Sequence, residues 1–298
     1  MENKVPYWQS TKCPLSKRGV PPKYVKMTKD EVSGVIEMHN SGINNADIAR
    51  RFSRHPSSIG DLLNSRGYKA KSHSELQRKY SIDECFFDNI DTEEKAYLLG
   101  FLFADGYMNK SNNCIKICLS AYDEEILILF SSLLKSNRPL VKYKGVTALG
   151  KIRDYIRMDV SNKKLFENLI KHGCTPRKSE SIRFPYWLEK QLRRHFIRGY
   201  FDGDGGFTIN KKIPSNVTFG FTSNKIFLQE VMNIICGEVG LNQIKINDAF
   251  NANPCYGNFR YGGRGNCKKF CDWIYRDSKI FLKRKYNQYR LICGEMSS

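Results

Sequence analysis

Residues 98–106 read LLGFLFADG, and residues 197–205 repeat the pattern as IRGYFDGDG. Each copy is largely apolar, carries small residues four positions apart and ends in an acid followed by a glycine. An apolar segment of this kind predicts a buried helix, and small residues at i and i+4 allow a second helix to approach closely. We therefore expect the two helices to pack on each other, with Gly100 and Gly199 in the contact.

Packed in this way, the two helices would bring Asp105 and Asp204 together at their C-terminal ends. A helix C-terminus carries partial negative charge and neighbouring carboxylates repel, so both acids stand in an unfavourable place. A hard divalent cation between them would remove the conflict, because Mg²⁺ takes oxygen ligands and an incomplete protein cage. Gly106 and Gly205 are predicted to end the helices as left-handed residues. One copy alone would be interpreted as a core helix with an acidic cap, whereas two copies favour a functional site.

The repeated stretch resembles the LAGLIDADG motif of homing endonucleases, present twice in one chain as in the monomeric members of that family. The second copy has Asp202 and Asp204 in the acidic positions of the motif, whereas the first copy has Phe103 in place of the first acid. The resemblance implies a metal site at Asp105 and Asp204 that includes Gly106 and Gly205, with Mg²⁺ as the cofactor and Mn²⁺ as a substitute.

Each repeat also ends in an Arg-Lys pair, Arg177-Lys178 in the first and Arg284-Lys285 in the second. In the family that the chain resembles, a lysine near the end of each unit reaches back toward the metal and the scissile phosphate. The resemblance therefore implies catalytic roles for Lys178 and Lys285. Ordinary surface lysines are the alternative for both positions.

The order of elements after each copy is a second regularity. Strand-like runs are expected at 114–121 and 217–223, helices at 123–135 and 225–239, further strands at 140–159, 244–250 and 256–262, and closing helices at 163–172 and 267–275. Alternation in the first strand of each unit predicts one buried and one wet face. The chain is therefore predicted to be α+β, with two αββαββα units, and the resemblance implies that they are related by a pseudo-twofold axis and form a DNA-binding saddle.

The composition favours a polyanionic partner, because the 298 residues carry a formal net charge of +19 and both the first 80 residues and the rest are basic. A soluble basic protein without such a partner is the alternative. The ten cysteines include no CxxC pair, so reduced core thiols are expected rather than zinc ligands. With no apolar signal region and no apolar run of membrane-spanning length, we expect an intracellular protein of a bacterial or phage-infected cell, without membrane association.

Residues 28–68 predict a separate three-helix unit that resembles a helix-turn-helix domain. Thr28 and Glu31 form a capping-box pattern, and turns are expected near Gly42 and Pro56. By this resemblance the third helix enters a major groove while arginines approach phosphates. The implied DNA-binding residues are Arg50, Arg51, Arg54, Ser57, Ser58 and Asn64. A three-helix protein-binding module remains the alternative.

Five segments are predicted: a basic arm at 1–27, the helix-turn-helix domain at 28–68, a linker at 69–92, and the two LAGLIDADG units at 93–190 and 191–298. Strand side chains that face DNA would read base edges. The candidates are Lys116, Lys142, Lys144, Arg153, Arg157, Lys211, Lys212, Lys245, Asn247, Arg260 and Arg264.

The function implied by the resemblance is Mg²⁺-dependent hydrolysis of DNA by a monomer that makes a staggered double-strand cut in a long, asymmetric target. One acid would serve each strand. We expect a free-standing or intron-encoded enzyme of a mobile intron rather than an intein. Two alternatives remain open: a transcriptional regulator that binds DNA on the same fold without cutting, and a maturase that binds intron RNA.

Overall fold

The computed structural model describes residues 27–68, 80–147, 149–209, 217–249 and 254–294. Contacts within the chain divide it into two units, Met1–Lys79 and Tyr80–Ser298. Residues 1–26 of the predicted basic arm and residues 69–79 of the predicted linker lie outside the described residues.

The first unit contains three helices, α1 (Lys29–Asn40), α2 (Asn45–Phe52) and α3 (Pro56–Ser65). The predicted capping box is present, since the Glu31 amide donates to Thr28 Oγ1 over 3.2 Å and the Thr28 amide donates to Glu31 Oε2 over 2.9 Å. These two bonds satisfy amides that the first turn of a helix leaves without partners.

Apolar residues from all three helices form the core of the first unit. The fully buried members are Val35, Ile48, Ala49, Ile59 and Leu63. Their spacing of three or four residues along each helix is the periodicity from which the helices were predicted. This core has no described member outside α1 to α3 that is fully buried, so the three helices form a small cluster of their own.

The second unit repeats one order of elements. The first repeat consists of α4 (Glu93–Asp105), β1 (Gly106–Asn109), β2 (Cys114–Ser120), α5 (Glu124–Leu133), β3 (Val141–Val146), β4 (Ile152–Ser161) and α6 (Lys163–Lys171). The second consists of α7 (Lys190–Asp204), β5 (Gly206–Ile209), β6 (Val217–Asn224), α8 (Lys225–Val239), β7 (Asn247–Asp248), β8 (Tyr256–Gly262) and α9 (Arg264–Tyr275), and α10 (Lys283–Cys293) follows it. The predicted α+β class and the two αββαββα units are confirmed, whereas α10 was not predicted.

Each repeat forms a four-stranded antiparallel sheet, with the orders β1-β2-β4-β3 and β5-β6-β8-β7. One face of each sheet is buried in the core, as Ile115 and Ile117 show in β2 and Phe219 shows in β6. We call the opposite face the open face. It carries Lys116 in the first sheet and Thr218 in the second, because successive side chains of a strand point to opposite sides.

Helices α4 and α7 pack on each other through their glycines, as predicted. A methyl group on Gly100 would overlap the carbonyl oxygen of Phe196, and one on Gly199 would overlap the carbonyl oxygen of Tyr97. Both glycines lie three residues after the carbonyl that the opposite glycine touches. The two backbones are therefore in direct contact, and no larger residue fits at either position.

Residues 80–92 belong to the second unit, so the predicted linker is wrong for this part of its length. Phe86, Phe87 and Ile90 are buried in the core of that unit. The amide of Asp83 donates to the carbonyl oxygen of Leu134 over 2.8 Å. The segment was predicted to be a linker because most of its residues are polar, and only its few apolar residues pack in the core.

Among the described helices, none is long and apolar enough to cross a membrane. The described cysteines carry free thiols, and four of them are buried in the core: Cys114, Cys174, Cys267 and Cys271.

Candidate active site

The packing of α4 on α7 brings Asp105 and Asp204, the last residues of the two helices, to one place. The carboxylate of Asp105 lies against Gly203, where a Cβ atom would come within 2.9 Å of Asp105 Oδ2. Gly203 therefore makes room for the carboxylate of the opposite helix. This is a role for the small residue beyond the helix contact that the sequence predicted.

The two carboxylates influence each other electrostatically. Burial, reinforced by the charge of Asp204, raises the pKa of Asp105 to about 6. Burial also raises the pKa of Asp204. A bound cation would offset the energetic cost of holding both carboxyl groups in their ionised forms.

Two buried lysines approach the same helix ends. Lys178 Nζ donates to the carbonyl oxygen of Gly106. Lys285 Nζ donates to the carbonyl oxygens of Phe201 over 2.5 Å and Gly205 over 2.6 Å, and also reaches those of Asp202 and Gly203 at 2.8 and 3.4 Å. The side chains of Lys178 and Lys285 are only 8% and 2% exposed, so neither is an ordinary surface lysine.

The lysines compensate for the electrostatics of the helix ends. The last carbonyl groups of a helix have no partner within it, and they carry its partial negative charge. Burial lowers the pKa of Lys285 to about 8, although the charges of Asp202, Asp105 and Asp204 favour its ammonium form. At neutral pH the ammonium form still predominates. The carbonyls of Gly106 and Gly205, which the resemblance places in the metal site, are occupied here by lysine.

The prediction that Gly106 and Gly205 are left-handed is wrong. Their φ and ψ angles are −72° and 126° for Gly106 and −78° and 176° for Gly205, which is extended backbone. The chain continues directly into β1 and β5 and does not reverse its direction. Glycine is required for space, because a Cβ on Gly106 would overlap the carbonyl of Leu102 and one on Gly205 would overlap the ring of Phe201.

Asp202 has a structural environment that the motif did not reveal. It is completely buried and accepts hydrogen bonds from the hydroxyls of Tyr97 (2.7 Å) and Tyr275 (2.5 Å) and from the amide of Leu282 (2.8 Å). Burial raises its pKa, while Lys285 and these hydrogen bonds act in the opposite direction. In the first copy, Phe103 fills the corresponding position.

Arg198 forms a second buried polar cluster in the second unit, next to the first residue of α4. It donates to Glu93 Oε1 over 2.7 Å and to the carbonyls of Ile274 and Ile280 over 2.8 and 2.9 Å. Its Nη1 also donates to His195 Nδ1 over 2.9 Å. Burial and the nearby charge of Arg198 lower the pKa of His195 to about 3, so this histidine is a neutral structural acceptor.

Several of the predicted DNA-binding side chains share the open faces of the sheets. In the first sheet, Lys116 pairs with Asp159 in register, and Arg157 pairs with Cys118. Arg153 is in phase with Arg157 on the same strand and is exposed. In the second sheet, Arg260 donates to Thr208 Oγ1 on the open face over 3.2 Å, and Asn247 pairs with Asn258.

Lys142 and Lys144 lie on the opposite side of the first sheet from Lys116 and Arg157, so the strand residues predicted to face DNA do not share one face. Lys142 pairs with Ile156, whose side chain is in the core, and its ammonium group binds Glu124 of α5 over 2.8 Å. Lys144 is in phase with Lys142 and pairs with Asp154. The register of β3 on β4 decides the face, and a one-residue change of register reverses it.

Other predicted contacts of the second sheet lie away from its strands. Lys245 is exposed but precedes β7, which is limited to two residues. Arg264 begins α9, and its Nε donates to the carbonyl oxygen of Ile292 over 2.7 Å, so it anchors α10 and is not a strand residue of the sheet. Lys211 and Lys212 lie outside the described residues.

In the first unit, Arg54 is the exception among the predicted phosphate contacts. It is 6% exposed and binds Glu31 with both distances at 3.2 Å, so it joins α1 to the end of α2. Arg50 and Arg51 are exposed. In α3, Asn64 is exposed, whereas the side chains at 57 and 58 are half-buried.

Sequence reasoning missed two groups of residues near the open face and the helix ends. Tyr107, Tyr143 and Tyr155 lie on the open face of the first sheet, where the rings of Tyr143 and Tyr155 stack at 5.6 Å. Asp123 binds Arg284 over 3.0 Å and so joins α10 to the first repeat. Strand alternation could have located the tyrosines, but nothing local to Asp123 indicates its partner.

The donor set at the helix ends fits a divalent cation. Two carboxylates with raised pKa values share one place beside Gly203, and cation binding would favour their ionised forms. No group of three or more His, Cys, Asp or Glu side chains suited to metal occurs in the described parts of the chain. The remaining ligands would therefore come from water or substrate, as is usual for Mg²⁺.

No family model matches the chain. The replication factor C small subunit of Methanocaldococcus jannaschii is 26% identical over 201 residues, which cover 64% of the chain. The chain spans only 10% of the length of that curated relative.

Two solved structures illustrate the folds to which the chain is similar. The homing endonuclease I-WcaI bound to its DNA recognition sequence aligns with a TM-score of 0.48 and 16% identity, covering 72% of this chain and 93% of that one. The N-terminal LAGLIDADG domain of DUF199/WhiA aligns with a TM-score of 0.41 and 16% identity, covering 68% and 92%.

Proposed function

We propose that the chain is a DNA endonuclease of the LAGLIDADG homing type that uses a divalent cation, Mg²⁺ or Mn²⁺, to cut both strands of a long, asymmetric target with a stagger. The observation that carries this proposal is the meeting of Asp105 and Asp204 at the paired ends of α4 and α7, with a buried lysine at each end. These two aspartates are also the last acidic residues of the two copies of the repeated motif.

The charge of the chain supports duplex DNA as the substrate. The net charge is +19, and Lys116, Arg153, Arg157 and Arg260 place cations on the open faces of the two sheets. Cations of this kind contact phosphates or the edges of bases in the major groove. We propose that the two open faces form the saddle that holds DNA, and that the chain acts as a monomer because it supplies both halves.

The first unit would extend the DNA footprint. We propose that α1 to α3 form a helix-turn-helix domain, in which Arg50 and Arg51 contact phosphates and Asn64 contacts DNA from α3. Linking a second binding module to the nuclease raises its local concentration at the target and adds no chemistry. Arg54 is left out of this surface because it binds Glu31.

Each half of the proposed site would act on one strand. Asp105 and Asp204 would hold the cation through their carboxylate groups. A bound Mg²⁺ supplies Lewis-acid stabilisation of the phosphate and lowers the pKa of a water molecule. Lys178 and Lys285 hold positive charge beside the two helix ends, where they would offset charge on the phosphate and on the leaving oxygen.

A cleavage selection tests this proposal on a mixture of DNA sequences. DNA molecules cut by the wild-type chain would be recovered from a pool that includes intron-lacking alleles, in Mg²⁺ and in EDTA. We expect metal-dependent double-strand cuts that fall by about 100-fold or more in Asp105→Asn and in Asp204→Asn. Glu167→Gln, which removes an exposed carboxylate of α6, is the matched control and should cut normally.

Cutting that persists in EDTA, or in the double Asp105→Asn, Asp204→Asn variant, would contradict the paired-carboxylate mechanism. Site-selective binding without a cut by any variant would instead support a DNA-binding regulator. The retention of both acids argues against that alternative, because binding alone gives no use for two adjacent carboxylates.

A further inference from the structure

We propose that Asp202 is a positioning residue for Lys285, and that only one of the two half-sites depends on such a residue. The consequence for cleavage rests on the proposed nuclease function, whereas the positioning of the lysine does not. The proposal concerns the internal support of a half-site, and Asp202 contacts neither DNA nor the cation in it.

Asp202 holds the segment that carries Lys285 at two points. Its Oδ2 accepts a hydrogen bond from the amide of Leu282 over 2.8 Å, and Leu282 is the residue immediately before α10. Three residues later, Lys285 Nζ donates to the main-chain carbonyl of Asp202 over 2.8 Å. The side chain and the backbone of one residue therefore fix the first turn of α10 and the tip of its lysine.

The network needs hydrogen-bond acceptors at position 202. Tyr97, Tyr275 and Leu282 all donate to Asp202, and all three bonds are buried. An asparagine side chain can keep these contacts without the charge, because its oxygen can accept from Tyr97 and Leu282 while its N–H donates to the hydroxyl oxygen of Tyr275. Asp202→Leu is of similar size and removes every acceptor, so all three bonds are lost.

The first half-site has no corresponding support among the described residues. Phe103 occupies the equivalent position and packs edge-to-face on Phe196 with ring centroids 5.0 Å apart. Lys178 follows Arg177, whose left-handed backbone has a φ of 56°, and it donates to Gly106 alone among the described carbonyls. The local turn of the chain therefore places Lys178, and a buried polar network places Lys285.

This difference can be measured on the lysines themselves. The full chain would be labelled with a trace amount of acetic anhydride at a temperature at which it remains folded. The reaction rates of individual lysines would be measured by mass spectrometry. In Asp202→Leu we expect the rate at Lys285 to rise by about tenfold or more above that in Asp202→Asn, which loses the same charge but can keep the bond to Leu282. The rate at Lys178 should differ by less than about twofold between the two variants, because Lys178 and Lys285 share no hydrogen-bond partner among the described residues.

Tyr97→Phe is the matched variant for this experiment. It removes one donor to Asp202 but leaves the bond to Leu282, so it should change the rate at Lys285 much less than Asp202→Leu does. Equal rates at Lys285 in Asp202→Leu and Asp202→Asn would overturn the proposal. Equal increases at Lys178 and Lys285 would overturn it as well, since they would show that Asp202 merely stabilises the whole unit.

Strand-resolved cleavage gives the functional counterpart. Asp202→Leu and Lys285→Ala should slow the same strand and accumulate nicked DNA, and Lys178→Ala should slow the other strand. Equal slowing of both strands by Asp202→Leu would overturn the proposal. If the wild-type chain cuts neither strand, the nuclease function fails, and the labelling rates at Lys285 and Lys178 still decide whether Asp202 positions the lysine.

Discussion

Two residues before the end of α4 stands Phe103, which packs against the ring of Phe196. The equivalent residue of α7 is Asp202, which accepts hydrogen bonds from two tyrosine hydroxyls. The two helix ends nonetheless present an aspartate and a lysine in the same arrangement. The backbone contact at Gly100 and Gly199 sets this arrangement. The comparison teaches that the supporting side chains can differ completely while the helix contact keeps the two acids together.

The open faces of the sheets differ in a similar way. The first combines the cations Lys116, Arg153 and Arg157 with tyrosines. The described strands of the second carry short side chains such as Thr218, with Arg260 as their one cation. We expect the first face to bind its half of a DNA target with the stronger dependence on salt.

The largest effect on the free energy of unfolding is expected at a position where the second repeat has a buried polar residue and the first has an apolar one. Arg198 and Leu99 occupy equivalent positions of α7 and α4. Arg198→Met leaves Glu93 without its buried partner and should lower the free energy of unfolding by about 3–5 kcal/mol. Leu99→Met should cost less than about 1.5 kcal/mol. Urea denaturation of both variants checks this, and equal losses would refute the asymmetry.

The helix contact should behave symmetrically. Gly100→Ala and Gly199→Ala each place a methyl group on a facing carbonyl, so each should cost about 2–3 kcal/mol, and the two costs should be similar. Gly237→Ala in α8 is the matched control, because no atom lies near its new methyl group and helix propensity should add about 0.5–1 kcal/mol of stability. A large difference in unfolding free energy between the first two variants would show that the repeats do not share the contact equally.

The pH dependence of stability should reveal the paired acids. The pKa of Asp105 is about 6 in the folded chain and near its usual value of 3.8 in the unfolded chain. The folded state therefore binds more protons between these values, and the free energy of unfolding should fall as the pH rises from about 4 to about 6. In EDTA at pH 7, Asp105→Asn should be more stable than wild type by about 3 kcal/mol.

That gain should be absent at pH 4, where the wild-type carboxyl is mostly protonated in the folded state, and it should shrink when Mg²⁺ is added at pH 7. Urea denaturation followed by tryptophan fluorescence measures all three conditions. A gain that is independent of pH would assign the effect of the substitution to packing and not to charge.

The smallest effect is expected on DNA binding, in a comparison of the two sides of the first sheet. Arg157→Ala on the open face should weaken DNA binding by about 1 kcal/mol and reduce the salt dependence by about one phosphate contact. Lys142→Ala should leave both nearly unchanged, because Lys142 lies on the side of the sheet opposite the open face. Fluorescence anisotropy at several salt concentrations checks this, and equal losses would place DNA on both sides of the sheet.

Features with a local period were predictable from the sequence. The helices α1 to α9 and the buried sides of β2 and β6 follow from apolar spacing, and the meeting of Asp105 with Asp204 follows from the repeated small residues. α10 escaped prediction because its sequence, KRKYNQYRLIC, is strongly polar and its buried residues are few.

Features that depend on distant partners were not predictable. Lys142 was placed on the wrong side because the register of β3 on β4 is set by the whole sheet. Arg54 was predicted to contact phosphate because its partner, Glu31, is 23 residues away in the sequence. The capping box had already assigned a role to Glu31. The backbone of Gly106 was predicted wrongly because glycine is favoured both where the backbone is left-handed and where there is no space for a Cβ atom, and the sequence does not distinguish the two.

The contact between α4 and α7 is self-complementary. Gly100 meets the carbonyl three residues before Gly199, and Gly199 meets the carbonyl three residues before Gly100. Such a contact is equally available to two identical polypeptides, since residue i of one meets residue j of the other and the reverse. A single ancestral repeat would thus have carried everything needed to pair with its own copy, and joining two copies in one chain then released each to diverge.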